Sequence, residues 1–217
     1  MSSEPEPLIR ARQLLSILEH VDKLPAQARQ AVREAIDPAI LTQVEASTGA
    51  DWVPFTWDVE LTHAIARALG PDGMHRFFQE QQLAAWRGPL LKSLVDSATA
   101  LFGLDPGSWA RWIPRGWAVV FRNCGRWEVE RTGPGAVDLA FVAPPARALE
   151  DEVWLRSVAS SFSSFLVLAK AEGEFALDHV GDVVGGSLGD VVEVTSTLVL
   201  LGPIALRLVR KVHRQCL

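Results

Sequence analysis

The spacing of the apolar residues changes at Pro114, and this change constrains the fold more than any other feature of the chain. Up to Pro114 apolar residues recur every three to four positions, which is the period of an amphipathic helix. Beyond it they alternate, so that Trp117, Val119 and Phe121 would share one face of an extended segment. The chain is therefore predicted to be an α+β protein, with an N-terminal helical bundle followed by an antiparallel sheet.

Proline and glycine residues divide the first half of the chain into helices. Asp37 is a suitable N-cap for a helix that begins at Pro38, and Gly70-Pro71 is a pair that ends one helix before the next. The stretch 47–54 is rich in turn-forming residues and is predicted to be a loop. The predicted helices cover residues 8–23, 26–36, 38–46, 58–69, 72–86 and 90–102.

The second half is predicted to form the sheet and one long helix. Asn123-Cys124-Gly125 would be the turn of a hairpin, and Gly173 ends a helix over 150–172 whose broad apolar face would cover the sheet. The predicted strands are 117–122, 126–131, a third strand beginning at 137, 175–180 and 187–195.

Residues 196–217 are apolar and then basic, and we predict that they form a C-terminal helix. The uncharged stretch 194–206 is shorter than the ~20 apolar residues of a bilayer span, and Gly202-Pro203 interrupts it. The helix could pack on the domain, form a homo-oligomer through residues 196–214, or make peripheral contact with a membrane surface. The predicted organisation is a helical extension (1–48), an α+β core domain (49–195) and this helix (196–217).

Charge and composition exclude several classes of protein. The chain of 217 residues has a formal net charge of −5, so it lacks the excess of basic residues that nucleic-acid binding requires. Cys124 and Cys216 are too few and too far apart for a disulfide framework or a thiolate metal site. Residues 1–7 have neither the basic start nor the apolar run of a signal peptide. We expect a cytoplasmic protein with free thiols that binds no nucleic acid, no metal and no cofactor.

Several polar groups resemble parts of catalytic or metal sites without their usual companions. His63 and His75 could each ligate a haem or metal, but no second ligand pattern accompanies them. A serine cluster at 160–164 lacks a histidine nearby in sequence and the strained turn that exposes a nucleophile. Asp178-His179-Asp182 and the glycine-rich segment 185–189 are interpreted as structural.

Cys124 differs from these groups because two arginines flank the predicted turn. The guanidiniums of Arg122 and Arg126 would lower the pKa of its thiol, which makes a redox or nucleophilic role a hypothesis beside that of an inert turn cysteine.

The strongest candidate site is the aromatic region from Trp109 to Trp127. Large aromatic side chains between a sheet and a helix can line an apolar pocket, and arginines nearby could fix an anionic group. The alternative is that these tryptophans are simply core residues. The residues predicted to bind a ligand are Trp112, Arg115, Trp117, Phe121, Trp127 and Trp154.

The order of elements adds a resemblance. The segments Trp112-Ile113-Pro114-Arg115, Cys124 to Val129 and Ala143-Pro144-Pro145, with the long helix ending at Gly173, resemble a paralogous family of uncharacterised myxobacterial proteins. That family is similar in layout to bacterial small-molecule sensor domains of the haem-nitric-oxide-binding and vinyl-reductase-like types. The resemblance spans residues 50–195 and implies a sensory role.

Together these features predict a non-enzymatic module that binds a small apolar or anionic molecule and has a sensory or regulatory role. The alternative is an interaction or scaffolding protein that uses its C-terminal helix for self-association or for docking a partner. An enzyme is the third hypothesis, disfavoured because no complete catalytic constellation is recognisable.

Overall fold

The structure, a computed structural model, describes residues 5–86, 88, 92–93, 96–97, 111–133, 136–169, 191–198 and 205–213. The predicted α+β class is confirmed, and the described part is mostly helical. The helices are α1 (Ala11–Val21), α2 (Ala26–Ala35), α3 (Pro38–Ala46), α4 (Phe55–Trp86), α5 (Ile113–Val120), α6 (Ala146–Glu150) and α7 (Glu152–Ala169). The strands are β1 (Leu8–Arg10), β2 (Trp52–Pro54), β3 (Phe121–Arg122), β4 (Arg126–Gly133), β5 (Ala136–Val142), β6 (Val191–Leu198) and β7 (Ala205–His213).

The N-terminal helices begin and end close to the predicted positions. The Asp37 side chain accepts a hydrogen bond from the Ala39 amide at 2.7 Å, which confirms its N-cap role for α3. The predicted start of the first helix is wrong, because Leu8–Arg10 form β1 instead. Ile9 in that strand pairs with Val53 on one side and with Phe121 on the other. Residues distant in sequence thus supply the hydrogen bonds that a first helical turn would have made internally.

The predicted pair of helices around Gly70-Pro71 is present as the two arms of α4, residues 55–69 and 71–86. Gly70 has φ 69° and ψ 176°, a backbone conformation that favours glycine. The break at Gly70 accommodates Pro71, which has no backbone N–H and would disrupt a continuous helix. The kink lets both arms pack along α7, the long helix predicted at 150–172.

The segment from Trp117 to Val120 is the main error of the sequence prediction. It belongs to helix α5, and only Phe121 and Arg122 are extended. In the helix Ile113, Gly116, Trp117 and Val120 are buried, so the segment also has helical periodicity. A window of about six residues is too short to distinguish the two periods when apolar residues fill most of it.

The hairpin predicted around Asn123-Cys124-Gly125 is wrong, because β3 pairs with β1 and belongs to a different sheet from β4. The second and third predicted strands do pair, as β4 and β5, with a bulge between Val129 and Arg131. The sheet continues in the order β4-β5-β7-β6, in which β5 and β7 are parallel and the other neighbouring pairs antiparallel. The predicted C-terminal helix at 196–217 is therefore wrong, since β6 and β7 occupy 191–198 and 205–213. The predicted strand 175–180 lies outside the described residues, as does most of the predicted helix 90–102.

One apolar core joins the helices to the first strands of the sheet. Residues of the predicted extension 1–48, such as Leu14 and Ile17, are buried in the same cluster as Phe141 and Trp154. The long helix α7 packs mainly along α4, and it meets the sheet where Phe162 contacts Trp127. Among the helices that the structure describes, none has both the length and the apolar character needed to cross a bilayer.

Candidate functional site

A partly open cavity of about 80 Å³ lies at the core where α1, α4, α5 and α7 meet. It has room for roughly five to eight water molecules, since each needs about 10–15 Å³ in this measure. The walls are mainly aromatic rings from α4, α5, β3 and α7. These rings are Phe78, Trp86, Trp117, Phe121, Trp154, Phe162 and Phe165.

Asp58 places a carboxyl group in the wall of this apolar cavity. It lies in the first turn of α4 and is 6% exposed. One oxygen, Oδ2, accepts a hydrogen bond from the Trp154 indole nitrogen at 2.7 Å. Burial raises the pKa of the Asp58 carboxyl to about 6, and the Trp154 hydrogen bond only partly opposes this shift. No ion pair reaches Asp58 within the described part of the chain.

Trp117 and Phe121 form the aromatic wall next to Trp154. Their rings stack with centroids 3.9 Å apart, and Trp117 also meets Trp154 edge-on at 6.1 Å. The indole nitrogen of Trp117 is buried and has no hydrogen-bond partner among the described residues. Besides Asp58, the polar side chains among the described residues that line the cavity are Gln13, Gln82, Ser157 and Ser161.

Trp127 lies beneath the site and does not line the cavity. Its ring stacks on Phe141 with centroids 4.3 Å apart and meets Phe162 edge-on at 5.3 Å. It is 1% exposed. Trp127 is therefore a core residue that packs behind the Trp117 and Phe162 rings.

Trp112 and Arg115 lie outside the cavity wall as well. The Arg115 guanidinium lies over the Trp112 ring, 4.7 Å from its centroid, and the arginine is exposed. Of the six predicted ligand-binding residues, the cavity brings together Trp117, Phe121 and Trp154. Asp58 was not among the predicted site residues, because its place in the sequence is typical of a helix N-cap. Its hydrogen-bond partner, Trp154, is far away along the chain.

A row of polar contacts joins α4 to α7 beside the cavity. His63 Nε2 lies 2.7 Å from Asp151 Oδ2, and His75 Nδ1 lies 3.0 Å from Ser160 Oγ. Gln79 and Trp86 donate to Ser163 and Ser164. The serine cluster and the two histidines are therefore explained as helix-to-helix contacts.

The His75–Ser160 contact has the residue types of a nucleophile and its base, which the sequence did not bring together. The Ser160 hydroxyl donates to the Arg156 carbonyl at 2.7 Å, which directs its proton away from His75 Nδ1, 3.0 Å from Ser160 Oγ. A base would have to accept the serine proton instead. The geometry thus gives this pair a structural role. Within the described residues, no group of three potential metal ligands is assembled.

Cys124 is buried and its thiol contacts the Leu8 carbonyl at 3.5 Å. Burial raises the pKa of the Cys124 thiol to about 12, and the charge of Asp58 contributes in the same direction. The expectation of a lowered pKa was wrong, because Arg122 lies over the Trp52 ring and Arg126 pairs with Glu128. Asp178, His179, Asp182 and segment 185–189 lie outside the described residues.

Comparisons with protein-family models, curated proteins and solved structures found no match. The resemblance to a myxobacterial family and to sensor domains stays a prediction.

Proposed function

We propose that this chain is a non-enzymatic module that binds a small, largely apolar molecule, with a sensory or regulatory role. The observation on which the proposal rests is the cavity among α1, α4, α5 and α7, which brings aromatic rings from several elements to one concave space. Concave sites lined mainly by apolar and aromatic side chains with a few polar groups are typical of small-molecule binding, because a bound apolar molecule removes that surface from water.

The size and lining of the cavity limit the ligand. A volume of about 80 Å³ suits a molecule of few non-hydrogen atoms and excludes a haem group. Our expectation of an anionic ligand loses support, since Arg115 lies outside the wall and Asp58 would repel an anion.

The position of the cavity at the kinked helix supports the regulatory part of the proposal. Asp58 is on the first arm of α4, whereas Phe78 and Gln82 are on the second arm. A ligand would contact both arms at once, so its binding energy would favour one angle at Gly70 over others. The rival hypothesis of docking through a C-terminal helix loses support, because residues 196–198 and 205–213 are in strands.

The test uses a matched pair of substitutions on α5. Val120 lines the cavity, and its neighbour Val119 is 37% exposed and does not. Val120→Phe should fill the cavity, and Val119→Phe adds the same ring on the surface. Binding of cyclohexanol, followed by thermal shift and intrinsic tryptophan fluorescence, should be present in the unmodified protein and in Val119→Phe and lost in Val120→Phe.

Two results would refute the proposal. One is the lack of any response from the unmodified protein up to tens of millimolar cyclohexanol. The other is an equal response from all three proteins, which would place the binding outside the cavity. Circular dichroism of Val120→Phe shows whether the variant is folded; if it is not, Val158→Phe on the facing wall serves instead.

A further inference from the structure

We propose that the cavity selects a small protonated amine with an apolar body. This inference rests on the proposed function and adds the chemical class of the ligand. It starts from the charge of the wall: among the described residues that line the cavity, Asp58 is the one ionisable side chain.

The carboxylate of Asp58 is incompletely satisfied. Trp154 donates to Oδ2, and no hydrogen bond to Oδ1 is formed within the described part of the chain. A buried carboxylate is costly unless cations or several donors compensate it. With a pKa near 6 the group is still mostly ionised at pH 7.5. An ammonium group would supply both the missing charge and N–H donors for the free oxygen.

The aromatic walls favour the same ligand. A cation is attracted to the face of an indole or phenyl ring, and tryptophan is the strongest of the aromatic side chains in this respect. Trp86, Trp117 and Trp154 all border the cavity with Asp58. Because Asp58 is only 6% exposed, its attraction for a cation is less screened than that of a surface carboxylate.

Neutral and anionic ligands fit the wall less well. A neutral alcohol could donate one hydrogen bond to Asp58 but would leave its charge uncompensated. An anion would be repelled by the carboxylate, and no lysine, arginine or histidine lines the described part of the wall. The arginines of this region are engaged elsewhere: Arg122 lies over Trp52 and Arg147 pairs with Glu60.

The experiment compares cyclohexylamine with cyclohexanol, which have the same ring and number of non-hydrogen atoms. Each is titrated into the full-length protein and into Asp58→Asn at pH 7.5, with tryptophan fluorescence and calorimetry as readouts. The amide introduced by Asp58→Asn retains an oxygen that can accept from Trp154. Glu60→Gln is the matched control, because it removes one carboxylate from a partly exposed position on the same helix.

We expect the unmodified protein to bind the amine about ten- to a hundredfold more tightly than the alcohol, as for a hydrogen bond to a charged partner. The preference should fall to about one in Asp58→Asn and persist in Glu60→Gln. If both ligands bind the unmodified protein equally, or if the preference survives in Asp58→Asn, the amine inference is overturned and the binding function stands. If neither ligand binds, the proposed function itself fails.

A second variant tests the same role without changing Asp58 itself. Trp154→Phe keeps the carboxylate and an aromatic ring but removes the donor to Oδ2. The amine preference should be kept or increased in Trp154→Phe, because the carboxylate then has no other donor from the described residues. A loss of the preference there would contradict the role given to Asp58.

Discussion

Replacing Asp58 with asparagine should stabilise the protein at neutral pH, although it removes a hydrogen-bonded group from the core. The pKa of the carboxyl is raised from 3.8 to about 6 by burial. A shift of about 2 pH units corresponds to roughly 3 kcal/mol of destabilisation of the native state when the group is ionised. Asparagine has the same shape and no charge, so it avoids this cost.

The pH dependence has a definite sign. Below pH 3.8 the carboxyl is protonated in both the folded and the unfolded protein, and it costs nothing. Between pH 3.8 and about 6 the unfolded chain releases the proton first, so the free energy of unfolding falls as pH rises. Above about pH 6 the cost is complete and constant. The advantage of Asp58→Asn should therefore grow by about 1.4 kcal/mol per pH unit across this window.

The measurement is urea unfolding of both proteins, followed by tryptophan fluorescence, at half-unit steps from pH 4 to pH 8. The difference in unfolding free energy isolates Asp58, since all other titrating groups are common to the two proteins. At pH 7.5 we expect Asp58→Asn to be about 1–3 kcal/mol more stable, the lower figure allowing for a poorly paired amide NH₂. A difference that is flat over the whole pH range would refute the reasoning, because it would mean that burial does not shift this carboxyl.

Three further predictions concern groups around the site. In a Cys216→Ser background, Cys124 should react with an aromatic disulfide reagent at pH 8 about a thousandfold more slowly than a free thiol, because its pKa is raised to about 12. A reaction rate equal to that of the urea-unfolded chain would contradict this prediction. Asp151→Ala should lower the free energy of unfolding by about 1–2 kcal/mol, since the Asp151 carboxylate accepts from the Trp154 amide at 2.9 Å at the start of α7; an unchanged urea midpoint would exclude this capping role. Gly125→Ala should lower the free energy of unfolding by about 2–3 kcal/mol, because φ is +69° and a Cβ would lie 2.8 Å from neighbouring backbone atoms. Gly49→Ala should change it by less than about 0.5 kcal/mol. Equal melting temperatures for the two variants would refute this prediction.

Elements with local signals were predictable. Asp37-Pro38 sets the start of α3 through a cap within two residues, and the Gly70-Pro71 break follows from the allowed backbone angles of those two residues alone. Strands β4 and β5 are close together in the chain, so their pairing also depends on short-range interactions.

The errors arose where local signals were ambiguous or overridden. The residues around Trp117 fit a helix and a strand nearly equally, and packing against Trp127 and Trp154 accompanies the helical form. Leu8–Arg10 could have extended α1, but backbone partners from β2 and β3 draw them into a sheet. In both cases the deciding contacts come from segments that periodicity does not connect.

The sequence by itself determined that this chain forms an α+β protein with helices bounded by glycine and proline and a core rich in tryptophan, because backbone angles and hydrophobic period are properties of neighbouring residues. It also indicated that Trp117, Phe121 and Trp154 belong to one apolar region. Only the tertiary structure decided that a cavity lies among four helices and that Asp58 borders it. Burial and hydrogen bonding between residues 96 positions apart are properties of the folded chain, and the pKa of Asp58 depends on both.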